Sequence, residues 1–184
     1  MAKIQYNVGY YQGDVINGNV RHGKGSFFWN DGRMYVGDYK NDQIEGFGAY
    51  KDNNNNEYVG MWKNTKRHGK GTLYFASGDK YVGDWENDHR NGHGTIFTVS
   101  GDKYEGEWKN DKKEGKGTFY WKNGNKFVGE WKNNEYYGQG TCYFSNGNII
   151  SGFWNGQKNC SNATVINNGV TKYGNIVNAV FTEN

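Results

Sequence analysis

The sequence contains no proline, few cysteines and no long hydrophobic run. Of its 184 residues, two are cysteines, Cys142 and Cys160. Two cysteines cannot build the disulfide framework of a small secreted domain, so they favour a reducing compartment. The residues Met1 to Tyr6 lack the apolar segment of a signal peptide, and no stretch is long enough to span a bilayer. These absences predict a soluble, cytoplasmic protein.

An excess of one charge is also lacking. The chain has 22 basic and 19 acidic residues and a formal net charge of +3, a bias too weak to predict nucleic-acid binding. Glycine, with 29 residues, and aromatic residues, at 17 %, are abundant instead. Hydrophobicity this low is typical of disorder. Because the rings recur at fixed spacing, we expect an ordered array of small units.

The dominant pattern is Y-x-G-x-W followed by G-x-G, and it returns every 23 residues. Its clearest copy is Tyr81-Val82-Gly83-Asp84-Trp85 with Gly92-His93-Gly94. The glycine of Y-x-G-x-W recurs at Gly37, Gly60, Gly83, Gly106, Gly129 and Gly152. Self-similarity at a fixed period predicts a stack of one supersecondary unit.

The spacing divides the chain into three parts of a single repeat array, residues 1–184. Residues 3–10 match the second half of a repeat and predict an N-terminal capping strand. Residues 11–154 carry the repeats, with one residue inserted near Asn17-Gly18 and Asn55 in a glycine slot. Residues 155–184 keep only traces of the pattern and predict a degenerate C-terminal cap.

Each repeat predicts a β-hairpin. The alternation of a strand places Tyr81, Gly83 and Trp85 on one face, and an Asn-containing turn follows. A glycine within a strand indicates a close approach, here by a Tyr or Trp ring of a neighbouring strand. We therefore predict an all-β fold, an elongated, twisted, single-layer antiparallel meander of 23-residue hairpins.

The repeated Y-x-G-x-W and G-x-G signatures resemble the MORN (membrane occupation and recognition nexus) repeat. The resemblance implies a β-hairpin array that acts as an interaction module, often in cytoskeletal or ciliary assemblies. In family members that are enzymes, the chemistry lies in a separate domain. This chain ends without room for such a domain, so we expect a stand-alone, non-enzymatic array.

No constellation of residues predicts catalysis, a cofactor or a metal. The spacing of His89 and His93 suits ligands on a helix, but here it brackets a turn. Cys142 takes a slot that holds Leu73, Ile96 and Phe119 in other repeats, which predicts a core residue. The recurrent acids beside the Trp column are expected to contact cross-strand Lys or Thr residues; they are Asp38, Asp84, Glu107 and Glu130.

Two candidate surfaces remain. The first is aromatic, and we predict partner contacts on one face from Tyr58, Trp62, Tyr81, Trp85, Tyr104, Trp108 and Trp131, and on the other face from Tyr74, Phe97 and Tyr120. The second is basic and lies around two hairpin turns. Its candidates for binding anionic lipid are Lys63, Lys66, Arg67, Lys70, Lys109, Lys112, Lys113 and Lys116.

The leading hypothesis is a scaffold that binds an extended or helical protein segment along an aromatic groove. A first alternative is a peripheral membrane module that binds phospholipid through the Lys and Arg residues of the turns. A second alternative is a regulatory subunit of an enzyme. These readings predict a cytoplasmic setting, at the cytoskeleton, at a cilium or at the membrane periphery. The sequence predicts neither the partner's identity nor the oligomeric state.

Overall fold

A computed structural model describes residues 1–183, which form strands and turns and contain no helix. Their strands are β1 (Ala2–Tyr6), β2 (Gly9–Ile16), β3 (Val20–Trp29), β4 (Met34–Lys40), β5 (Gln43–Lys51), β6 (Glu57–Lys63), β7 (Lys66–Tyr74), β8 (Lys80–Glu86), β9 (His89–Phe97), β10 (Lys103–Lys109), β11 (Lys112–Tyr120), β12 (Lys126–Lys132), β13 (Glu135–Tyr143), β14 (Ile149–Asn155), β15 (Cys160–Asn167), β16 (Val170–Val177) and β17 (Val180–Glu183). They fall into two compact units, the first ending at Arg90 and the second beginning at Asn91.

Strands that follow one another in the chain pair antiparallel within each unit. In the first unit the ladder runs from β1 to β8. In the second unit it runs from β9, whose first two residues belong to the first unit, to β17, and the region after residue 155 continues it. The prediction of an all-β antiparallel meander of hairpins is confirmed.

The turns explain the recurrent asparagines. Asn64 and Thr65 join β6 to β7 with φ values of 50° and 64°. Positive φ at both central residues defines the type I′ turn, whose twist matches that of the flanking strands. The turn between β2 and β3 spans Asn17–Asn19, as the inserted residue predicts. At the opposite end of a hairpin Asn55 replaces the usual glycine and adopts a φ of 65°.

The paired glycines make room for the repeated tyrosine. In the second repeat Gly37 lies opposite Gly48 across β4 and β5. A Cβ atom built on either glycine would lie 2.3–2.4 Å from the hydroxyl oxygen of Tyr35, which is far too close for a real contact. The expected role of glycine as ring space is confirmed. Tyr35 reaches Gly48 from the neighbouring strand, but it shares its own strand with Gly37.

Turn residues tie each repeat to the one before it. The Asp42 carboxylate accepts the backbone N–H of Arg21 at 2.9 Å, and the Arg21 carbonyl accepts the N–H of Asp42, also at 2.9 Å. Asp88 accepts the N–H of Arg67 in the same way, at 3.0 Å. In the second unit Asn134 accepts the N–H of Lys113 at 2.9 Å. These bonds join consecutive hairpins at the edge that carries the type I′ turns.

Candidate interaction surfaces

One face of the sheet, which we call the Tyr/Trp face, holds the core. Strand alternation sends the Tyr, Gly and Trp of each signature to this side. The rings predicted to contact a partner on this face are between 0 % and 7 % exposed; they are Tyr58, Trp62, Tyr81, Trp85, Tyr104, Trp108 and Trp131. Their contact with a partner stays a prediction, and their burial gives them a structural role.

Hydrogen bonds fix these rings in place. The Tyr58 hydroxyl donates to the carbonyl oxygen of Met61 at 2.9 Å, beside a β-bulge in β6. The Trp62 indole N–H donates to the carbonyl oxygen of Gly48 at 3.1 Å, one repeat earlier. The two rings meet edge to face, with centroids 5.1 Å apart. Burial is the main cause that raises the pKa of Tyr58 above its ordinary value. A neutral, donating phenol is therefore part of the core.

A second row of side chains on the Tyr/Trp face is only half-buried. It comes from the far end of the second strand of each hairpin and includes Trp29, Tyr50, Leu73, Phe119 and Trp121. The 23-residue spacing places Trp29 and Trp121 in one slot and Tyr50, Leu73 and Phe119 in a second, two residues earlier in the repeat, so the signal was available in the sequence. They were not predicted as binding candidates, because the Tyr and Trp of Y-x-G-x-W repeat with less variation than these slots do. This row offers a partner more accessible apolar surface than the buried rings do.

Arginine and lysine side chains also lie against the buried rings. The Arg67 guanidinium lies 4.3 Å from the centroid of the Trp85 ring and 5.7 Å from that of Tyr58. Its Nε also contacts the Asp88 carboxylate at 3.2 Å. In the second unit the Lys113 ammonium lies 5.0 Å from the Trp131 ring centroid. These contacts are cation–π interactions that hold charge against the aromatic core.

The first unit contains a cleft on the Tyr/Trp face. Its volume is about 400 Å³, and its lining consists of Trp29, Ile44, Tyr50, Asp52, Asn56, Tyr58, Trp62, Thr65, Arg67, Leu73 and Asp88. Rings form its walls, Asp52 and Asn56 close one end, and Arg67 with Asp88 closes the other. An apolar cleft with a few polar groups at its ends is the usual form of a binding site.

The opposite face of the sheet carries the second predicted set of rings. Tyr74 is 47 % exposed, Phe97 is 40 % exposed and Tyr120 is 36 % exposed. Lysines lie over some of the rings on this face: the Lys103 ammonium is 4.2 Å from the Tyr120 ring centroid. Lys126 lies 4.7 Å from the ring of Tyr143 in the same manner. This face therefore combines apolar surface with positive charge.

The structure divides each predicted lipid-binding cluster between surfaces. In the first, Lys63 and Lys66 are exposed and lie opposite each other beside the turn. Arg67 belongs to the Tyr/Trp face, and Lys70 pairs with Asp84 at 2.6 Å on the opposite face. In the second cluster Lys109 and Lys112 face each other, Lys116 is exposed, and Lys113 covers the Trp131 ring. Each of these two turns therefore carries a pair of exposed lysines.

Comparison with protein families matches the MORN repeat to residues 11–32, 35–57, 58–80, 81–103, 104–126 and 127–149, which together make up more than half of the chain. The chain belongs to the MORN repeat family. The matched segments begin at the repeated Tyr, or at Phe127 in the last one, so the family signature and the buried core coincide. A comparison with curated proteins finds no match.

Solved structures are similar to this MORN array at low sequence identity. The TCP domain of Drosophila melanogaster SAS-4 (dCPAP), in complex with a proline-rich motif of Ana2, has a TM-score of 0.51 and 12 % identity, covering 82 % of this chain and 83 % of that one. The TCP10c domain of Drosophila melanogaster Sas-4 has a TM-score of 0.46 and 11 % identity, covering 84 % and 93 %. At 12 % identity, the similarity to the first of these structures shows a common fold.

Some further titratable groups of the MORN repeats form ion pairs across strands or are buried. The cross-strand interpretation of the recurrent acids is confirmed for Asp38, which pairs with Lys24 at 2.5 Å, and for Asp84. Cys142 is buried, and its burial raises the pKa of the thiol to about 12. Among residues 1–183, no group of three or more His, Cys, Asp or Glu side chains is placed to hold a metal ion. Within that same range there is no helix long and apolar enough to cross a membrane.

Proposed function

We propose that this MORN array is a non-catalytic scaffold that binds an extended or helical segment of a protein partner along the Tyr/Trp face. The observation that carries the proposal is the cleft of about 400 Å³, which exposes half-buried rings beside a rigid, hydrogen-bonded core. Rigid aromatic anchors in a concave site provide most of the affinity in protein interfaces.

The fold comparison supports a peptide ligand. The SAS-4 domain with a TM-score of 0.51 is described in complex with a proline-rich motif of Ana2. An extended segment on a sheet of this kind is therefore the first partner class to test here. The cytoskeletal or ciliary setting that the MORN resemblance implies is part of the same proposal.

The test compares neighbouring residues on opposite faces of β7. Leu73 lies in the cleft, and Tyr74 follows it on the other face. The full chain captures partners from native lysate, and the Leu73→Ala and Tyr74→Ala variants are compared after circular dichroism has shown that they are folded. We expect Leu73→Ala to weaken capture of the partner about five- to thirtyfold, since a contact of about 1–2 kcal/mol is lost. Tyr74→Ala should retain capture.

The opposite result assigns binding to the face that carries Tyr74, Phe97 and Tyr120. If both variants capture the same proteins as the wild type, the scaffold proposal fails for both faces. Buried rings such as Trp85 are unsuitable for this test, because their removal would cost about 3–5 kcal/mol of stability.

The second candidate function is binding of an anionic membrane surface. It is favoured by the register of the turns, which places Lys63 opposite Lys66 and Lys109 opposite Lys112. Like charges directly opposite on a hairpin destabilise it. A phosphate-bearing surface would remove that repulsion, and each lysine near such a surface contributes about 1 kcal/mol.

A further inference from the structure

The second repeat departs from the others at both ends of the cleft. Asp52 occupies a slot that holds a ring in most other repeats; its counterparts are Trp29, Phe75, Thr98, Trp121 and Phe144. At the other end Ile44 occupies a slot that holds a long cation or a ring; its counterparts are Arg21, Arg67, Arg90, Lys113 and Tyr136. The cleft lies where this repeat lacks both bulky groups. One of the replacements also places a carboxylate in its lining.

The Asp52 carboxylate is held rigidly at the end of the cleft. Its Oδ1 accepts the backbone N–H groups of Asn54 and Asn56 at 2.8 and 2.9 Å, and its Oδ2 accepts the Asn56 side-chain amide at 2.8 Å. An ionised carboxylate has about four acceptor positions, so one position on Oδ2 is left for a ligand. Burial alone would raise the pKa of Asp52, but these hydrogen bonds outweigh it and lower that pKa.

Among the residues that line the cleft, Asp52 and Asp88 are acidic and Arg67 is basic. Arg67 pairs with Asp88 at 3.2 Å, and Arg33, which lies over the Trp29 ring, pairs with Asp31 at 2.8 Å. Asp52 forms no ion pair within residues 1–183. The cleft therefore has an excess of negative charge.

The rings beside Asp52 reinforce the preference for a cation. Trp29 and Tyr50 meet edge to face with centroids 6.0 Å apart, and Tyr50 meets Trp62 at 6.2 Å. The face of an aromatic ring carries negative charge density and attracts ammonium and guanidinium groups. Trp29 already receives the Arg33 guanidinium at 5.2 Å, so rings in this region do bind such groups.

We propose that this cleft binds a basic side chain, lysine or arginine, of the partner segment, with the charged group beside Asp52 and the aliphatic stem against Trp29 and Tyr50. The inference rests on the proposed function for the existence of that segment. The preference of the cleft for a cation can be measured without the partner. An acidic anchor residue would be repelled by the Asp52 carboxylate, and a purely apolar one would leave that carboxylate unpaired. Both should therefore bind more weakly than a basic residue.

The test is a titration of the ¹⁵N-labelled full chain followed by NMR. The probes are the N-acetyl, N-methylamide derivatives of lysine and arginine, with the norleucine and glutamate derivatives as uncharged and acidic controls. The Trp29 indole signal, assigned with Trp29→Phe, reports on the cleft. We expect a saturable shift with the basic probes and none with the controls. Asp52→Asn should weaken binding about tenfold or more, because a hydrogen bond to a charged group is lost.

Matched variants separate the charge of Asp52 from its other effects. Glu57→Gln removes an equal charge from an exposed residue on the opposite face of the sheet and should leave the affinity unchanged. Asp52→Phe restores the residue type of Phe75 and should fill the cleft and abolish binding in a folded chain. It keeps the test decisive if Asp52→Asn does not fold.

The proposal is overturned if the norleucine or glutamate probe binds as well as the basic probes, or if no basic probe shifts the Trp29 signal. It is also overturned if a folded Asp52 variant retains the affinity. These results are independent of the lysate experiment. A positive titration without any captured partner would contradict the scaffold function alone, and captured partners with a negative titration would contradict the cleft assignment alone.

Discussion

Two tyrosines in the same repeat show how one residue type serves two slots. Tyr35 lies over the glycine pair, and its hydroxyl donates to the Asp38 carbonyl at 3.1 Å. Tyr39 takes the slot that holds tryptophan in later repeats, where Trp62 donates to the Gly48 carbonyl. The Tyr39 hydroxyl is buried and finds no hydrogen-bond partner within residues 1–183. The slot therefore suits an indole better than a phenol.

This difference predicts opposite effects of one substitution. Tyr35→Phe should lower the free energy of unfolding by about 1 kcal/mol, because a made hydrogen bond is lost. Tyr39→Phe should leave it unchanged or raise it, because an unsatisfied buried hydroxyl is removed. Urea denaturation followed by tryptophan fluorescence measures both values. Equal losses in the two variants would show that the Tyr39 hydroxyl has a partner after all.

At the scale of the strand, the role of Gly71 in β7 can be tested by comparing its substitution with that of the next residue. A Cβ atom on Gly71 would lie 2.3 Å from the Tyr58 hydroxyl oxygen, and Gly71 has an ordinary strand conformation. Gly71→Ala should therefore destabilise the chain by about 2 kcal/mol or more, through displacement of a core ring. Thr72→Ala, one residue on and facing the other side, should change stability by less than about 1 kcal/mol. Thermal unfolding compares them, and similar melting points would contradict the ring-space role of glycine.

At the scale of the hairpin, the link between Arg21 and Asp42 predicts a pH effect. The backbone N–H and the guanidinium of Arg21 hold the pKa of Asp42 below its ordinary value. A carboxylate with a lowered folded pKa stabilises the fold above its unfolded pKa of about 3.9, and this contribution is lost as pH falls through the folded pKa. Asp42→Asn should keep the N–H acceptor, as Asn134 does for Lys113.

We therefore expect Asp42→Asn to be less stable than the wild type at pH 7. The difference should shrink as the pH is lowered below about 4, because the wild type then loses the charge of Asp42 as well. Urea midpoints measured between pH 3 and pH 7 check this. A difference independent of pH would assign the loss to the hydrogen bond rather than to the charge.

At the scale of the whole chain, the 23-residue period was sufficient to predict the hairpins, the Asn turns and the place of glycine beside the rings. These features follow from strand alternation and backbone sterics within one repeat. The rings were expected to lie over glycine and also to contact a partner. The near-complete burial of Trp85 depends on how closely neighbouring hairpins approach, which the pattern within one repeat does not specify. Arg67 lies two residues before Gly69, so strand alternation predicts that both lie on the Tyr/Trp face. Assigning Arg67 to a cluster of basic residues around a turn did not take this alternation into account. The cleft depends on Ile44 and Asp52, where the repeat is broken.

The membrane alternative makes a prediction for the whole chain. If the lysine pairs bind anionic lipid, the protein should sediment with phosphatidylserine-containing vesicles at low salt and be released toward physiological salt, since exposed charges are screened. A variant with Lys63, Lys66, Lys109 and Lys112 changed to Gln should lose this binding, because each lysine contributes about 1 kcal/mol. Lys24→Gln with Lys70→Gln is a control with two lysines changed, to be compared with Lys63→Gln and Lys66→Gln together, because Lys24 and Lys70 already pair with aspartates on the sheet. Sedimentation that is absent at both salt concentrations, or that survives in the fourfold variant, would contradict lipid binding through the turns.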